Sequence, residues 1–214
     1  MIPSSTERKI RAWFPVLRFA QAYLPLGFTQ WANRQSLRYA RLPAGMACQA
    51  ISADGVACEW LVPDDSPADR VLLYLHGGGF VYGLTAPHLA MVAYLCKRIR
   101  VRALLVDYRL SPAHPFPAPL EDCLTAFRWL LKLELSPRNI VVAGDSAGGN
   151  FTLAMLMKLR DNGEQLPAAA ACLSPAADLT GERNASDAFH DPLGLVKKFA
   201  SLAQQDFARR CESD

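Results

Sequence analysis

Asn139-Ile140-Val141-Val142-Ala143-Gly144-Asp145-Ser146-Ala147-Gly148-Gly149-Asn150 is the stretch whose reading decides the fold. Asn139–Ala143 is a short, β-branched apolar run, which predicts a strand, and Ala147–Arg160 carries the pattern of a helix. Between them lies Gly-x-Ser-x-Gly, with Gly144, Ser146 and Gly148. A turn sharp enough to lift a serine oxygen above a sheet leaves no room for side chains at the flanking glycines. The helix N-terminus that follows favours developing negative charge. Ser146 is therefore the candidate nucleophile.

Upstream, Val71–Leu75 is a continuous apolar run, predicting a strand buried on both faces. It ends in His76-Gly77-Gly78-Gly79-Phe80. Consecutive glycines present bare backbone N–H groups, which can receive an oxyanion. A flexible turn and a phosphate loop are the rival readings. No Gly-Lys-Ser/Thr follows and no G-x-G-x-x-G occurs, which argues against a nucleotide site.

The elements around these motifs alternate. Met46–Ile51 and Val56–Val62 read as two short strands joined by the turn residues Ser52-Ala53-Asp54-Gly55. Helices are predicted over Pro87–Arg98 and Leu120–Leu133. A further buried strand is predicted at Val101–Val106, and another strand at Ala168–Leu173. Ser111–Pro119 is a Pro-rich loop. This order argues an α/β sandwich with a mostly parallel sheet, in which Val71–Leu75, Val101–Val106, Asn139–Ala143 and Ala168–Leu173 are adjacent parallel strands.

The chain has 214 residues, 51% of them hydrophobic and 20% charged, with a formal net charge of +3. That excludes whole-chain disorder, and the length supports one sizeable core. Charge is uneven. Residues 1–45 hold seven Lys/Arg against Glu7 alone, a net +6, whereas 46–214 carry −3. Ile10, Trp13, Phe14, Leu17 and Leu24 follow helical spacing, with a break or kink expected near Arg11–Phe14 because Pro15 follows. This basic amphipathic segment reads as a helical flap over an apolar cleft, with contact to an anionic membrane surface as the alternative. Aromatic-interleaved basic repeats of the RNA-binding kind are absent, so no nucleic-acid partner is expected. The six cysteines form no C-x-x-C pair and read as free thiols, which fits a reducing, cytoplasmic compartment; no metal and no cofactor are expected.

Four motifs in order carry a family resemblance. They are His76–Phe80; Asp107-Tyr108-Arg109-Leu110-Ser111-Pro112-Ala113-His114-Pro115-Phe116-Pro117-Ala118; Gly144–Asn150; and Leu173-Ser174-Pro175-Ala176-Ala177-Asp178-Leu179-Thr180. Over about residues 50–195 the chain resembles the hormone-sensitive-lipase-like esterases, which are α/β-hydrolases. The resemblance implies a carboxylester hydrolase acting on a small ester through a Ser146 acyl-enzyme. It implies that the backbone amides of Gly78, Gly79 and Ala147 form the oxyanion hole. His76 matches the histidine that buttresses the glycine loop, and Asp145 neighbours the nucleophile; both are supporting residues. His114 matches a structural loop near the site.

The resemblance also divides the chain into N-terminal cap helices at 1–45, a partial hydrolase core at 46–178 and a cap-like helical segment at 179–214. In this fold the acid and then the histidine base follow the serine. After Ser146 the only histidine is His190, and Asp178, Glu182 or Asp187 would have to orient it. The family's last strands, with its acid and base, have no counterpart in the sequence after Leu173. The expectation is a shortened form with an incomplete triad and little or no esterase turnover. An unpaired sheet edge in such a form favours self-association. The alternative is a non-catalytic hydrolase-like protein that binds a ligand or partner.

Overall fold

The structure is a computed structural model that describes residues 12, 23–177 and 179. Residues 33–177 form one compact unit, separate from a unit holding residues 1–32 and 178–214. A helix α1 (Leu26–Ser36) leads into a short 3-10 turn at Leu37–Tyr39. The predicted kink near Arg11–Phe14 lies, Ala12 apart, outside the described residues. Within the larger unit, the Ala86 amide donates to Ser36 Oγ at 3.2 Å. Leu37, Ala40 and Leu42 pack against core residues.

Among the described residues six strands make one sheet: β1 (Met46–Ala53), β2 (Val56–Pro63), β3 (Val71–Leu75), β4 (Arg102–Val106), β5 (Ile140–Asp145) and β6 (Ala169–Leu173), in the spatial order β1-β2-β4-β3-β5-β6. β1 and β2 pair antiparallel in register Ala53↔Val56. Asp54 and Gly55 alone make the turn, both at positive φ (51° and 95°), which matches the right-handed twist of the strands. The hairpin is therefore longer than the expected four-residue turn allowed. β2 joins β4 antiparallel, and β4, β3, β5 and β6 run parallel. The four expected parallel strands are thus adjacent.

Helices cover both faces. On one side lie α3 (Ala118–Lys132) and α4 (Ala147–Asp161). There Val71, Leu73 and Leu75 meet Phe127, Leu130 and Met155. On the other lies α2 (Ala86–Ile99), where Leu72 and Tyr74 meet Leu89, Val92 and Cys96. This two-sided coverage explains why all five residues of β3 are buried. Helix α3 buries Leu120, Cys123, Leu124, Phe127 and Leu130 at i, i+3, i+4 spacing; of the face the sequence suggests, Ala126, Trp129, Leu130 and Leu133, Ala126 and Leu130 are buried, whereas Leu133 is exposed where the helix ends. Each such fully buried apolar side chain contributes roughly 1.5–3 kcal/mol. The loop before α3 is held by Arg109, whose Nη2 and Nε bond the nearly buried Asp122 carboxylate at 2.7 and 2.9 Å.

Candidate active site

β3, β5 and β6 are neighbours and run parallel. The segments that follow them, His76–Phe80, Ser146–Gly149 and Ser174–Ala176, therefore leave the same edge of the sheet. Open α/β sheets place their ligands at that carboxyl edge.

Ser146 sits between β5 and α4 with φ 49° and ψ −115°. For a residue with a β-carbon this conformation costs on the order of 1–3 kcal/mol. It persists because the surroundings hold the turn. The Ser146 amide donates to the Leu173 carbonyl at 2.9 Å, and the Ser146 carbonyl accepts from Ala176 N at 3.0 Å. Asn150 Nδ2 donates to the Ala176 carbonyl at 2.7 Å. The serine is exposed, whereas Ala147, Gly148 and Gly149 behind it are buried. Gly148 allows the close approach: a β-carbon there would stand 1.9 Å from the Leu75 carbonyl oxygen and 2.6 Å from that of His76. The turn thus presses onto the end of β3, where the glycine loop begins. The amide of Ala147 belongs to the first turn of α4, whose N–H groups the helix itself leaves without carbonyl partners.

The glycine loop is fixed from both sides. Gly78 has φ +138°, and a β-carbon on it would lie 2.3 Å from the Tyr82 carbonyl oxygen. Its own carbonyl accepts the amides of Val81 and Tyr82 at 3.2 and 2.9 Å. His76 is fully buried and stacked on Tyr108, with ring centroids 4.2 Å apart and planes 9° from parallel. Tyr108 Oη donates to the His76 carbonyl at 2.5 Å. His76 Nδ1 lies 2.8 Å from the Gly77 carbonyl and can only donate to it, so the ring proton sits on Nδ1. Burial lowers the His76 pKa from 6.5 to about 4, so the ring is neutral near pH 7. Its Nε2 is buried without a hydrogen-bond partner among the described residues.

Asp145 accepts from Tyr74 Oη at 2.7 Å and from the Gly77 amide at 2.8 Å, both at Oδ1. It therefore ties the serine's strand to the glycine loop. Sequence reasoning placed Ser146, Ala147, Gly78, Gly79, His76 and Asp145 on these segments, and the structure brings the segments together. It did not find Tyr74, which reads as one more apolar strand residue, nor the approach of His88 to Asp145. Thr85-Ala86-Pro87-His88 carried the local signal, because His88 occupies the third position of α2 in a capping box with Thr85. His114 lies exposed in the loop before α3. His190, Asp178, Glu182 and Asp187 lie outside the described residues. Among the described residues no group of His, Cys, Asp and Glu could hold a metal ion.

Comparison with known proteins agrees with this geometry. A family model described as alpha/beta hydrolase fold matches residues 72–210. The chain is 43% identical over 124 residues to an acetyl-hydrolase of Streptomyces hygroscopicus, covering 58% of this chain and 41% of that protein. It is 37% identical over 174 residues to the esterase LipU of Mycobacterium tuberculosis, covering 78% and 58%. The chain spans about half the length of the curated relatives it matches. An esterase from the bacterial hormone-sensitive lipase family superposes with a TM-score of 0.79 at 35% identity, over 95% of this chain and 70% of that one. A mutant of the esterase E40 does so with a TM-score of 0.81 at 36% identity, over 94% and 70%. The serine turn at the end of β5, the glycine loop at the end of β3 and these likenesses agree: the chain belongs to the α/β-hydrolase-fold family, among the hormone-sensitive-lipase-like esterases.

Proposed function

We propose that the chain carries the nucleophile and oxyanion-binding parts of a carboxylester hydrolase that acts on small esters. The observation that carries this reading is the exposed Ser146 on a left-handed turn, next to a glycine loop tied to the same strand through Asp145. In this reading Ser146 Oγ attacks the ester carbonyl carbon. The carbonyl oxygen takes up the negative charge and is received by the amides of Gly78, Gly79 and Ala147. The alcohol leaves with a proton, and water then hydrolyses the acyl-serine. The base and acid that such a serine needs follow it in chain order in this fold. Residues 1–45 and 179–214 would supply a cap over the ester, with the basic N-terminal segment touching an anionic surface. The outer edge of β6 would pair with another strand, in a second copy if none of this chain takes it. The free cysteines among the described residues, Cys48, Cys58, Cys96, Cys123 and Cys172, fit a cytoplasmic setting. No helix among the described residues is long and apolar enough to cross a membrane.

The test is acylation of the purified chain by a short-chain aryl ester from pH 6 to 9, beside its Ser146→Ala form. Release of the phenol with a stable acyl group on Ser146, absent from Ser146→Ala, is the expected result. Equal release by the two proteins would overturn the reading and favour a non-catalytic binding protein.

A further inference from the structure

The ladder between β3 and β5 ends at the pair Leu75↔Gly144, whereas β5 continues one residue farther against β6, to Asp145↔Leu173. The serine's strand and the glycine loop's strand part at that point. The Asp145 side chain spans the gap. Its Oδ1 holds the Gly77 amide at 2.8 Å and Tyr74 Oη at 2.7 Å. A β-carbon on Gly77 would stand 2.2 Å from Oδ2, so the carboxylate lies directly against the loop's first glycine.

The second carboxylate oxygen faces His88, with Nε2 at 4.0 Å. The capping box of α2 settles which nitrogen bears the proton. The Thr85 amide donates to His88 Nδ1 at 3.2 Å, and Thr85 Oγ1 lies 2.8 Å from the same nitrogen. A ring nitrogen that accepts carries no proton, so the neutral ring is protonated at Nε2, the atom turned to Asp145. Burial disfavours the imidazolium and lowers the His88 pKa, with Asp145 opposing. The other titratable groups against this cluster are Tyr74 on β3 and His76, whose ring centroid is 5.6 Å from that of His88.

We propose that Asp145 is a positioning residue: by holding the Gly77 amide from the position before Ser146, it sets the spacing between the serine oxygen and the amides of Gly78 and Gly79, while Tyr74 and His88 fix the rotation of its carboxylate. This rests on reading Ser146 as the nucleophile. An asparagine at 145 keeps one oxygen that can accept from both Tyr74 and Gly77, whereas an alanine keeps none. Loss of two bonds to a charged acceptor corresponds to a factor of about ten or more.

The experiment uses the full chain and two readouts, hydrogen–deuterium exchange of the Gly77 amide by NMR and the rate of Ser146 modification by a fluorophosphonate. In Asp145→Ala, Gly77 exchange rises and Ser146 modification falls, each by about tenfold or more. Asp145→Asn restores both to within about threefold of the parent, and Tyr74→Phe, which removes one bond and leaves the carboxylate, falls between. Faster exchange without slower modification would overturn the proposal, as would exchange that Asp145→Ala and Tyr74→Phe leave unchanged. If the parent itself is not modified, the nucleophile reading fails and takes the positioning role with it; the exchange comparison then reports separately whether Asp145 ties down the loop.

Discussion

Replacing Gly148 with alanine sets two opposed effects against each other at one site. Gly148 lies in the first turn of α4, where alanine gains about 1 kcal/mol over glycine from helix propensity alone. Against this stands the contact with β3. The new β-carbon would be 1.9 Å from the Leu75 carbonyl oxygen, 2.5 Å from its carbon and 2.6 Å from the His76 oxygen, where real β-carbons stop near 3.0 Å. All three atoms are backbone, so no side chain can swing away. β3 is paired on both sides, and the turn is held by Leu173 and Ala176, so the required shift of about 1 Å must strain a paired strand or a held helix start. Overpacking of this kind costs roughly 1–3 kcal/mol, and with both sides backbone the cost falls at the upper end. The net expectation is a loss of about 2 kcal/mol, the difference between that cost and the propensity gain. Urea unfolding followed by tryptophan fluorescence reads it as a midpoint lower by about 1 M at unchanged slope. Gly27→Ala is the control, because a β-carbon there meets nothing within 4 Å in helix α1; it should gain up to about 1 kcal/mol. A Gly148→Ala protein as stable as its parent would refute the close packing of the serine turn on β3.

Three further outcomes follow from the same geometry. His76 is protonated in the unfolded chain near pH 6.5 but only near pH 4 when folded, so the unfolded state binds more protons between these values; stability, full above pH 6.5, falls by about 3 kcal/mol as pH drops to 4, and His76→Gln flattens that slope in urea titrations. Ser146→Gly relieves the left-handed strain and, despite glycine's larger unfolded-state entropy, should keep or raise the thermal midpoint while abolishing modification at the site; a clear fall in the midpoint would contradict the strain. Cys48, although exposed, has its pKa raised to about 11 by partial burial and by the neighbouring Glu59 carboxylate, so it alkylates slowly at pH 8, and Glu59→Gln should speed it as measured by mass spectrometry.

The sheet was legible because its central strands are buried on both faces and so read as unbroken apolar runs. Val71–Leu75 and Arg102–Val106 differ from the expected ranges by at most one residue. The two glycine motifs were legible because each needs a residue type that little else replaces. The spatial order was not, since β4 pairs between β2 and β3 through contacts that no local pattern encodes. Nor was the bond from Asp145 to Gly77, which joins residues 68 apart in the chain. Tyr74 escaped because periodicity counts a tyrosine as apolar and does not report the bond its hydroxyl makes. Nor was the packing of Leu37, Ala40 and Leu42 against core residues legible, because the helical spacing read from Ile10 to Leu24 stops short of them.

The brace on Ser146 comes from the far end of β6, through the Leu173 carbonyl and the Ala176 amide. During synthesis from the N-terminus the glycine loop and the serine are both made before those residues. The strained turn therefore has no support until the chain has grown about thirty residues past the serine, and up to that point the left-handed conformation is simply an unfavourable one that the nascent chain avoids. A growing polypeptide thus keeps Ser146 in a slack state, and the serine gains its geometry only once β6 has joined the sheet. A protease cut between Leu173 and Ala176 in the finished protein would undo the same step without touching the serine itself.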